Sequence, residues 1–120
     1  MTISTQDLWE TTPLPTEYVE LKFDLLLDQK QSDAVRQGLI PQEMEHKWFS
    51  YFQDNVLYQY RSWSGYCIDE ISFTNENGLL RAVSAKVNRN DDQYSNKDDE
   101  EDTRRITEML TLFYPQDPYF

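Results

Sequence analysis

Apolar and charged residues alternate along residues 17–27. The apolar side chains recur at every second position: Val19, Leu21, Phe23 and Leu25. Successive side chains of a strand point to opposite faces, so a period of two predicts a half-buried β-strand. Residues 32–37 follow with a short helical pattern, for which we predict Ser32 as the N-cap and Gly38 as the end.

Residues 46–90 contain four apolar stretches rich in aromatic and β-branched residues. Turn sequences separate them: Asp54-Asn55, Ser64-Gly65 and Asn75-Glu76-Asn77-Gly78. Asn, Asp and Gly tolerate the positive φ of tight turns, so the first two predict two-residue hairpins and the third a four-residue turn. The pattern therefore predicts an antiparallel meander with four strands, at about 47–53, 56–63, 66–74 and 79–88.

The same turns predict which residues pair across the strands, and the pairing assigns side chains to two faces. Pairing Gln53 with Val56 and Trp63 with Tyr66 predicts one apolar face, expected to be the core: Phe49, Tyr51, Val56, Tyr58, Tyr60, Cys67, Ile71 and Phe73. The opposite face is expected to mix charged groups with aromatics: Trp48, Phe52, Leu57, Gln59, Arg61, Trp63, Tyr66, Ile68, Glu70 and Arg81.

The C-terminal part has the pattern of an amphipathic helix over residues 98–113. Its apolar stripe has the spacing i, i+3, i+4 and i+7: Ile106, Met109, Leu110 and Phe113. We predict Ser95 or Asn96 as its N-cap, after an acidic linker over residues 91–97, and carboxylates in its first turns that complement the helix dipole. We expect this helix to cover the core face of the sheet.

The elements together predict one α+β domain over residues 1–120. Its expected architecture is an antiparallel four- to five-stranded meander sheet with the C-terminal amphipathic helix packed on one face. Residues 1–16, which include Trp9, predict a short helix or an arm that docks by its aromatic side chain.

The charge balance narrows the classes of partner. The chain has 22 acidic and 11 basic residues and a formal net charge of −11, which disfavours nucleic acid and anionic membranes. The same negative charge would attract a basic protein partner over long distances and so speed its association. The N-terminus lacks the features of a secretory signal and no apolar run is long enough to span a membrane, so we expect a cytoplasmic location.

Side chains that carry out chemistry are few. The five consecutive acids at 98–102 would point in all directions around a helix, so they do not converge on a metal ion. The single histidine, His46, cannot form a metal site that needs several histidines. The single cysteine, Cys67, excludes an intrachain disulfide and is expected to be a small buried hydrophobic residue. We therefore predict no metal, no cofactor and no catalytic residue.

The stretch from Arg61 to Tyr66 is the strongest candidate for a binding site. A guanidinium held beside aromatic rings can stack on a planar ligand or pair with a carboxylate or phosphate. The structural alternative is that Arg61 pairs with Glu70, or lies on Trp48 under the N-terminal segment. The predicted ligand-binding residues are Arg61, Ser62, Trp63, Tyr66 and Trp48.

These residues also carry a resemblance. Residues 46–49 and 57–68 resemble a small, largely uncharacterised bacterial family with the pattern KWF, a short turn and LYxxRSW[ST]GxxI. Members of that family occur alone or close to proteins of ADP-ribose and NAD metabolism, including ADP-ribosylglycohydrolase-type proteins. The resemblance implies that Arg61, Ser62, Trp63 and Gly65 matter, and it supplies no catalytic residue.

Three functions are consistent with these observations. We expect first a non-catalytic binding or interaction domain for a nucleotide or ADP-ribose-like ligand. The second is an acidic inhibitor of the bacterial or phage immunity, antitoxin or counter-defence type, including a DNA mimic, that blocks a basic enzyme. The third is a small hydrolase that uses His46 or a carboxylate. The sequence leaves the oligomeric state open.

Overall fold

A five-stranded antiparallel sheet with helices on one face forms the protein, which a computed structural model describes over residues 3–113 without the side chain of Phe113. The strands are β1 (Tyr18–Leu26), β2 (Trp48–Gln53), β3 (Val56–Arg61), β4 (Cys67–Glu76) and β5 (Leu79–Asn88). Their order is β1-β5-β4-β3-β2, so β2 to β5 form a meander and β1 pairs with the outer side of β5. This arrangement confirms the predicted fold class.

The first helix, α1 (Gln29–Gln37), begins earlier than predicted. Asp28 is its N-cap: the Asp28 carboxylate accepts from the Gln31 N–H, and the Gln31 side chain accepts from the Asp28 N–H. This reciprocal capping box satisfies two backbone donors, whereas Ser32 lies inside the helix. Gly38 ends the helix as predicted, with a φ of 76°.

The second helix, α2 (Asp99–Glu108), continues into a π-helical segment, Met109–Phe113. Its N-cap is Asp98, whose carboxylate accepts from two backbone N–H groups of the first turn, so the predicted caps Ser95 and Asn96 were wrong. The predicted stripe is confirmed for the residues with described side chains, because Ile106, Met109 and Leu110 are buried. The predicted burial of Phe113 falls outside the described side chains. No helix in the described range is long and apolar enough to cross a membrane.

The hairpin between β2 and β3 has the predicted register. Gln53 pairs with Val56 and Phe49 with Tyr60, across a turn in which Asp54 and Asn55 both have positive φ. The turn between β4 and β5 is tighter than predicted, since the pairing continues to the last residue of β4 and the first of β5 and leaves only residues 77 and 78 in the turn.

The pairing of β3 with β4 differs from the prediction in two ways. A wider loop replaces the two-residue turn expected at Ser64-Gly65, closed by the Gly65 N–H, which donates to the carbonyl of Arg61 at 2.9 Å. Cys67 therefore pairs with Tyr60, a change of two residues that leaves Cys67 on its predicted face. A β-bulge between Cys67 and Asp69 then changes the register by one residue, so Leu57, and not Tyr58, pairs with Ile71 and the rest of β4 faces the other side.

As a result, the main core lies on the face that was expected to be charged. Helices α1 and α2 pack there against the sheet, and the buried sheet residues of this core are Leu21, Leu57, Ile71, Phe73, Leu80, Ala82, Ala85 and Val87. The expected core face holds a smaller cluster of Phe49, Tyr51, Tyr60 and Cys67. The helix therefore covers the face opposite to the predicted one.

The N-terminal segment covers the smaller aromatic cluster. After a 3₁₀ turn at Gln6–Leu8, the ring of Trp9 stacks on Phe49 with 5.7 Å between centroids and 16° between planes. The Trp9 indole N–H also donates to the carbonyl of Ser62 at 2.8 Å. The segment therefore docks by its aromatic side chain, as predicted, and holds the β3–β4 loop.

Candidate functional site

Trp48 and Arg61 are paired across β2 and β3 at one end of the sheet, on its helix-covered face. The guanidinium carbon of Arg61 lies 4.3 Å from the centroid of the Trp48 ring, which is only 3% exposed. Arg105 of α2 approaches the same ring, with its guanidinium carbon at 5.7 Å. Two cations therefore share one buried indole.

Arg105 is neutralised by two buried carboxylates. Its two terminal nitrogens donate to both oxygens of Asp69 at 2.7 and 2.8 Å, the bidentate geometry that makes such pairs strong. Its Nε donates to Asp102 at 3.1 Å. Burial alone would lower the pKa of Arg105, but the charge and hydrogen bonds of Asp69, with Asp102, raise it. Arg105 therefore joins α2 to β4.

Asp102 extends this network to the segment that precedes α2. The Tyr94 hydroxyl donates to Asp102 Oδ1 at 2.6 Å, and Arg89 Nη1 lies 2.8 Å from Oδ2 as an ion pair without hydrogen-bond geometry. Burial would raise the pKa of Asp102, but Tyr94, Arg105 and Arg89 together lower it. These contacts anchor residues 89–98 to the helix.

Arg61 has no carboxylate within ion-pair distance in the described chain, and Asp69 acts on it only through its charge. Its guanidinium forms no hydrogen bond or ion pair with the residues that the structure describes. The predicted partner Glu70 faces the other side of the sheet, where it pairs with Tyr58. Burial and the neighbouring charge of Arg105 lower the pKa of Arg61. An arginine side chain nevertheless keeps its proton in proteins, so Arg61 is a partly buried cation that forms no ion pair within residues 3–113.

A cleft of roughly 730 Å³ opens beside this cation. Its walls come from the start of β2, the end of β3, the segment before α2 and α2 itself: Lys47, Trp48, Arg61, Tyr94, Ser95, Asn96, Glu101, Arg104, Arg105 and Glu108. Four of these side chains are basic and two, Glu101 and Glu108, are acidic, and Arg105 is already paired with Asp69 and Asp102. The cleft therefore keeps a small excess of positive charge in a chain whose net charge is −11.

The arginines of the protein divide into two groups by their ion pairs. Within the described part of the chain, four of the six form an ion pair with a carboxylate: Arg36, Arg81, Arg89 and Arg105. Arg61 and Arg104 form none there, and both line the cleft. Lys47, on the same wall, also has no carboxylate within ion-pair distance among those residues. The cleft thus offers three cations that can accept an anion.

The other predicted site residues have different positions. Ser62 is buried, and its hydroxyl donates to the carbonyl of His46 at 2.6 Å. Ser62 therefore stabilises the loop. Tyr66 is half-buried and bridges to Thr12 of the N-terminal segment. Trp63 lies outside the cleft, with 76% of its surface exposed. The structure therefore brings Trp48 and Arg61 together and places Trp63 next to them on a separate depression.

The remaining wall of the cleft was missed by sequence reasoning. Tyr94, Arg104 and Arg105 belong to the linker and helix, which were expected on the opposite face of the sheet. The one available signal was the pair of adjacent arginines that follows the acidic run at 98–102.

The histidine and the cysteine lie outside the cleft. The Nδ1 of His46 accepts from the Gln42 N–H at 3.0 Å, and its Nε2 is 3.7 Å from a Glu43 oxygen. Cys67 is fully buried, as predicted, and burial raises the pKa of its thiol, which disfavours the thiolate. The described residues contain no group of three or more His, Cys, Asp or Glu side chains that could hold a metal ion.

No family model matches the chain, and neither a curated protein nor a solved structure matches it. The resemblance of residues 46–68 to a bacterial family therefore stays a prediction.

Proposed function

We propose that this protein is a non-catalytic binding domain whose cleft between β2, β3 and α2 holds a small anionic ligand. The observation that carries the proposal is the absence of a described carboxylate partner for Arg61 and Arg104 in a chain with 22 acids and 11 bases. Acids that outnumber bases two to one readily neutralise them. Two arginines left open in one cleft favour an external anion as their partner.

The position of Arg61 favours recognition of a flat, forked anion. Its guanidinium lies against the buried ring of Trp48, which restricts its orientation without using its hydrogen-bond donors. A guanidinium oriented in this way can donate two parallel hydrogen bonds to a phosphate or carboxylate. Lys47 and Arg104 add charge for a ligand with more than one negative group. A nucleotide or ADP-ribose-like ligand, which the family resemblance also implies, has this chemistry.

The test compares Arg61→Ala with Arg81→Ala in calorimetric titrations of AMP, ATP and ADP-ribose at low salt. Arg81 is the matched control because it is paired with Asp24 and Glu76, away from the cleft. We expect the parent to bind at least one of these anions and Arg61→Ala to weaken that binding by about tenfold or more, as loss of a charged hydrogen bond implies. Arg81→Ala should bind like the parent. Failure of the parent to bind any of them, or equal binding by Arg61→Ala, would contradict the proposal.

The inhibitor function remains a second candidate because of the exposed acids at the start of α2. Asp99 and Glu100 are exposed and lie in the first turn, where they also complement the helix dipole. If that is their role, Asp99→Lys with Glu100→Lys should lower the free energy of unfolding at low salt by about 0.3–1 kcal/mol per charge. Asp99 also accepts from Arg89 Nη2 at 2.9 Å, so its substitution removes an ion pair as well. Unchanged melting curves at low and high salt would instead show that neither contact stabilises the fold, which suits a role of these acids on a partner surface.

A further inference from the structure

An exposed tryptophan and methionine flank the cleft at the β3–β4 loop. Trp63 is 76% exposed and Met44 is 72% exposed. They line a depression of roughly 390 Å³ whose other walls are Glu45, Lys47, Arg61 and Ser62. Lys47 and Arg61 belong to both this depression and the cationic cleft. An apolar surface therefore adjoins the open cations directly.

Hydrogen bonds fix the position of the Trp63 side chain and of the loop that carries it. Its indole N–H donates to the carbonyl of Met44 at 2.7 Å, so its one polar atom is satisfied within the protein. Both sides of the loop are tied down, since the Ser62 N–H donates to the carbonyl of Lys47 at 2.9 Å and the Thr12 N–H donates to the carbonyl of Gly65 at 2.8 Å. The exposed ring faces are thus preorganised for an apolar contact, which lowers the entropic cost of binding.

We infer that this depression is the second half of the ligand site and holds a planar aromatic ring against Trp63, while a phosphate joined to that ring through a sugar lies on Lys47 and Arg61. The inference rests on the proposed function, because it requires the anion site at Arg61. A ring stacks on an indole with little selectivity among rings, and the flexible side chain of Met44 adapts to rings of different size. Nucleoside phosphates are the class of ligand that has both parts.

The charges favour this occupant over a second copy of the chain. Each copy carries a net charge of −11, so two copies repel one another at long range. A phosphate bound near the ring instead supplies the negative charge that no described carboxylate brings within ion-pair distance of Lys47 and Arg61.

The experiment titrates three probes that separate the two parts: AMP, ribose 5-phosphate and adenosine. In the parent, AMP should bind about tenfold tighter than ribose 5-phosphate, because base stacking adds to the phosphate contact. Trp63→Ala should lower AMP affinity to the level of ribose 5-phosphate and leave ribose 5-phosphate unchanged. Trp63→Phe should retain most of the AMP affinity, and Arg61→Ala should lower the affinity for both AMP and ribose 5-phosphate.

The matched control is Tyr18→Ala. Tyr18 is another exposed aromatic beside a cation, with Lys86 at 5.3 Å from its ring centroid, and it lies on β1 at the opposite edge of the sheet. This substitution should leave the affinity for all three probes unchanged.

Three results would overturn the inference. Equal binding of AMP and ribose 5-phosphate, insensitive to Trp63→Ala but lost in Arg61→Ala, would remove the ring position and leave the anion site. No binding of either phosphate by the parent would overturn the inference, and the proposed function would fall with it only if ATP and ADP-ribose also failed to bind. A dimer in sedimentation that Trp63→Ala dissolves, with AMP affinity unchanged, would assign the depression to a second copy.

Discussion

Two arginines approach the ring of Trp48, and they differ in how their charge is balanced. Arg105 donates to two fully buried carboxylates, and its side chain is 17% exposed. Arg61 lies closer to the ring and has no carboxylate partner in the described chain. Both are arginines whose side chains are partly buried. The difference in described partners separates a cation that holds the fold from the one for which we propose a ligand.

The largest expected effect is on the Arg105 side of this comparison. Arg105→Ala leaves Asp69, which is fully buried, with a single side-chain hydrogen bond from described residues, the one that Gln59 donates at 3.3 Å. Breaking a buried pair from one side costs about 3–5 kcal/mol, so we expect a loss of that size in the free energy of unfolding by urea.

The control for this measurement is the adjacent residue of the same helix. Arg104 is exposed and forms no ion pair in the described chain, so Arg104→Ala should change stability by less than about 0.5 kcal/mol. Similar losses for the two variants would show that the Asp69 pair does not carry the stability assigned to it.

Asp102→Asn tests the same network through its dependence on pH. We expect a loss of about 1–3 kcal/mol at neutral pH, because Arg89 and Arg105 lose a charged partner. The native pKa of Asp102 is below the ordinary value of 3.8, so its carboxylate contributes stability above 3.8, and that contribution disappears as the pH falls through the native pKa. Urea denaturation should therefore show the gap between parent and variant shrinking below pH 3.8. A gap that does not change with pH would contradict an ionised Asp102.

A smaller loss is expected at the start of α2, the helix that carries both the network and one wall of the cleft. Asp98→Ala removes a cap that accepts from two backbone N–H groups, which should cost about 1 kcal/mol in thermal denaturation. Asn96→Ala, at one of the caps predicted from sequence, should cost less than about 0.5 kcal/mol. The reverse order would assign the cap to Asn96.

The smallest effect on stability is expected for Arg61→Ala. The substitution leaves no described carboxylate without its partner. The lost contact with Trp48 is worth about 0.5–1 kcal/mol at a partly exposed site. Removal of the repulsion between Arg61 and Arg105 offsets part of that loss. Urea denaturation should therefore place this variant within about 1 kcal/mol of the parent. A loss as large as that of Arg105→Ala would show that Arg61 stabilises the fold, as Arg105 does, and would contradict its assignment to a ligand.

The parts of the fold that were predicted correctly depend on local signals. The alternation along β1 and the turn chemistry of Asp54-Asn55 lie within a few residues of the structure they specify. The same hairpin correctly placed Trp48 opposite Arg61, so the centre of the candidate site was predictable.

The register of β4 was not predictable in this way, because the loop before it depends on distant residues. Gly65 has a φ of 74°, and a Cβ on it would lie 2.5 Å from the carbonyl oxygen of Glu10. Contacts with a segment more than fifty residues away therefore select this loop over a two-residue turn. The β-bulge between Cys67 and Asp69, for which the sequence has no turn signal, then places Ile71 and Phe73 on the face with Leu57. The helix covers that face, so Arg104 and Arg105 lie where the sequence did not predict them.

The docking of the N-terminal segment has a consequence for the order of folding. Trp9 bonds to Ser62 across 53 residues of chain, and closing so long a loop costs more entropy than forming the hairpins of the sheet. Contacts of large sequence separation form slowly, so we expect the meander to assemble first and the segment to dock afterwards. The loop that presents Trp63 would then reach its final geometry last, and binding competence would mature after the sheet is complete.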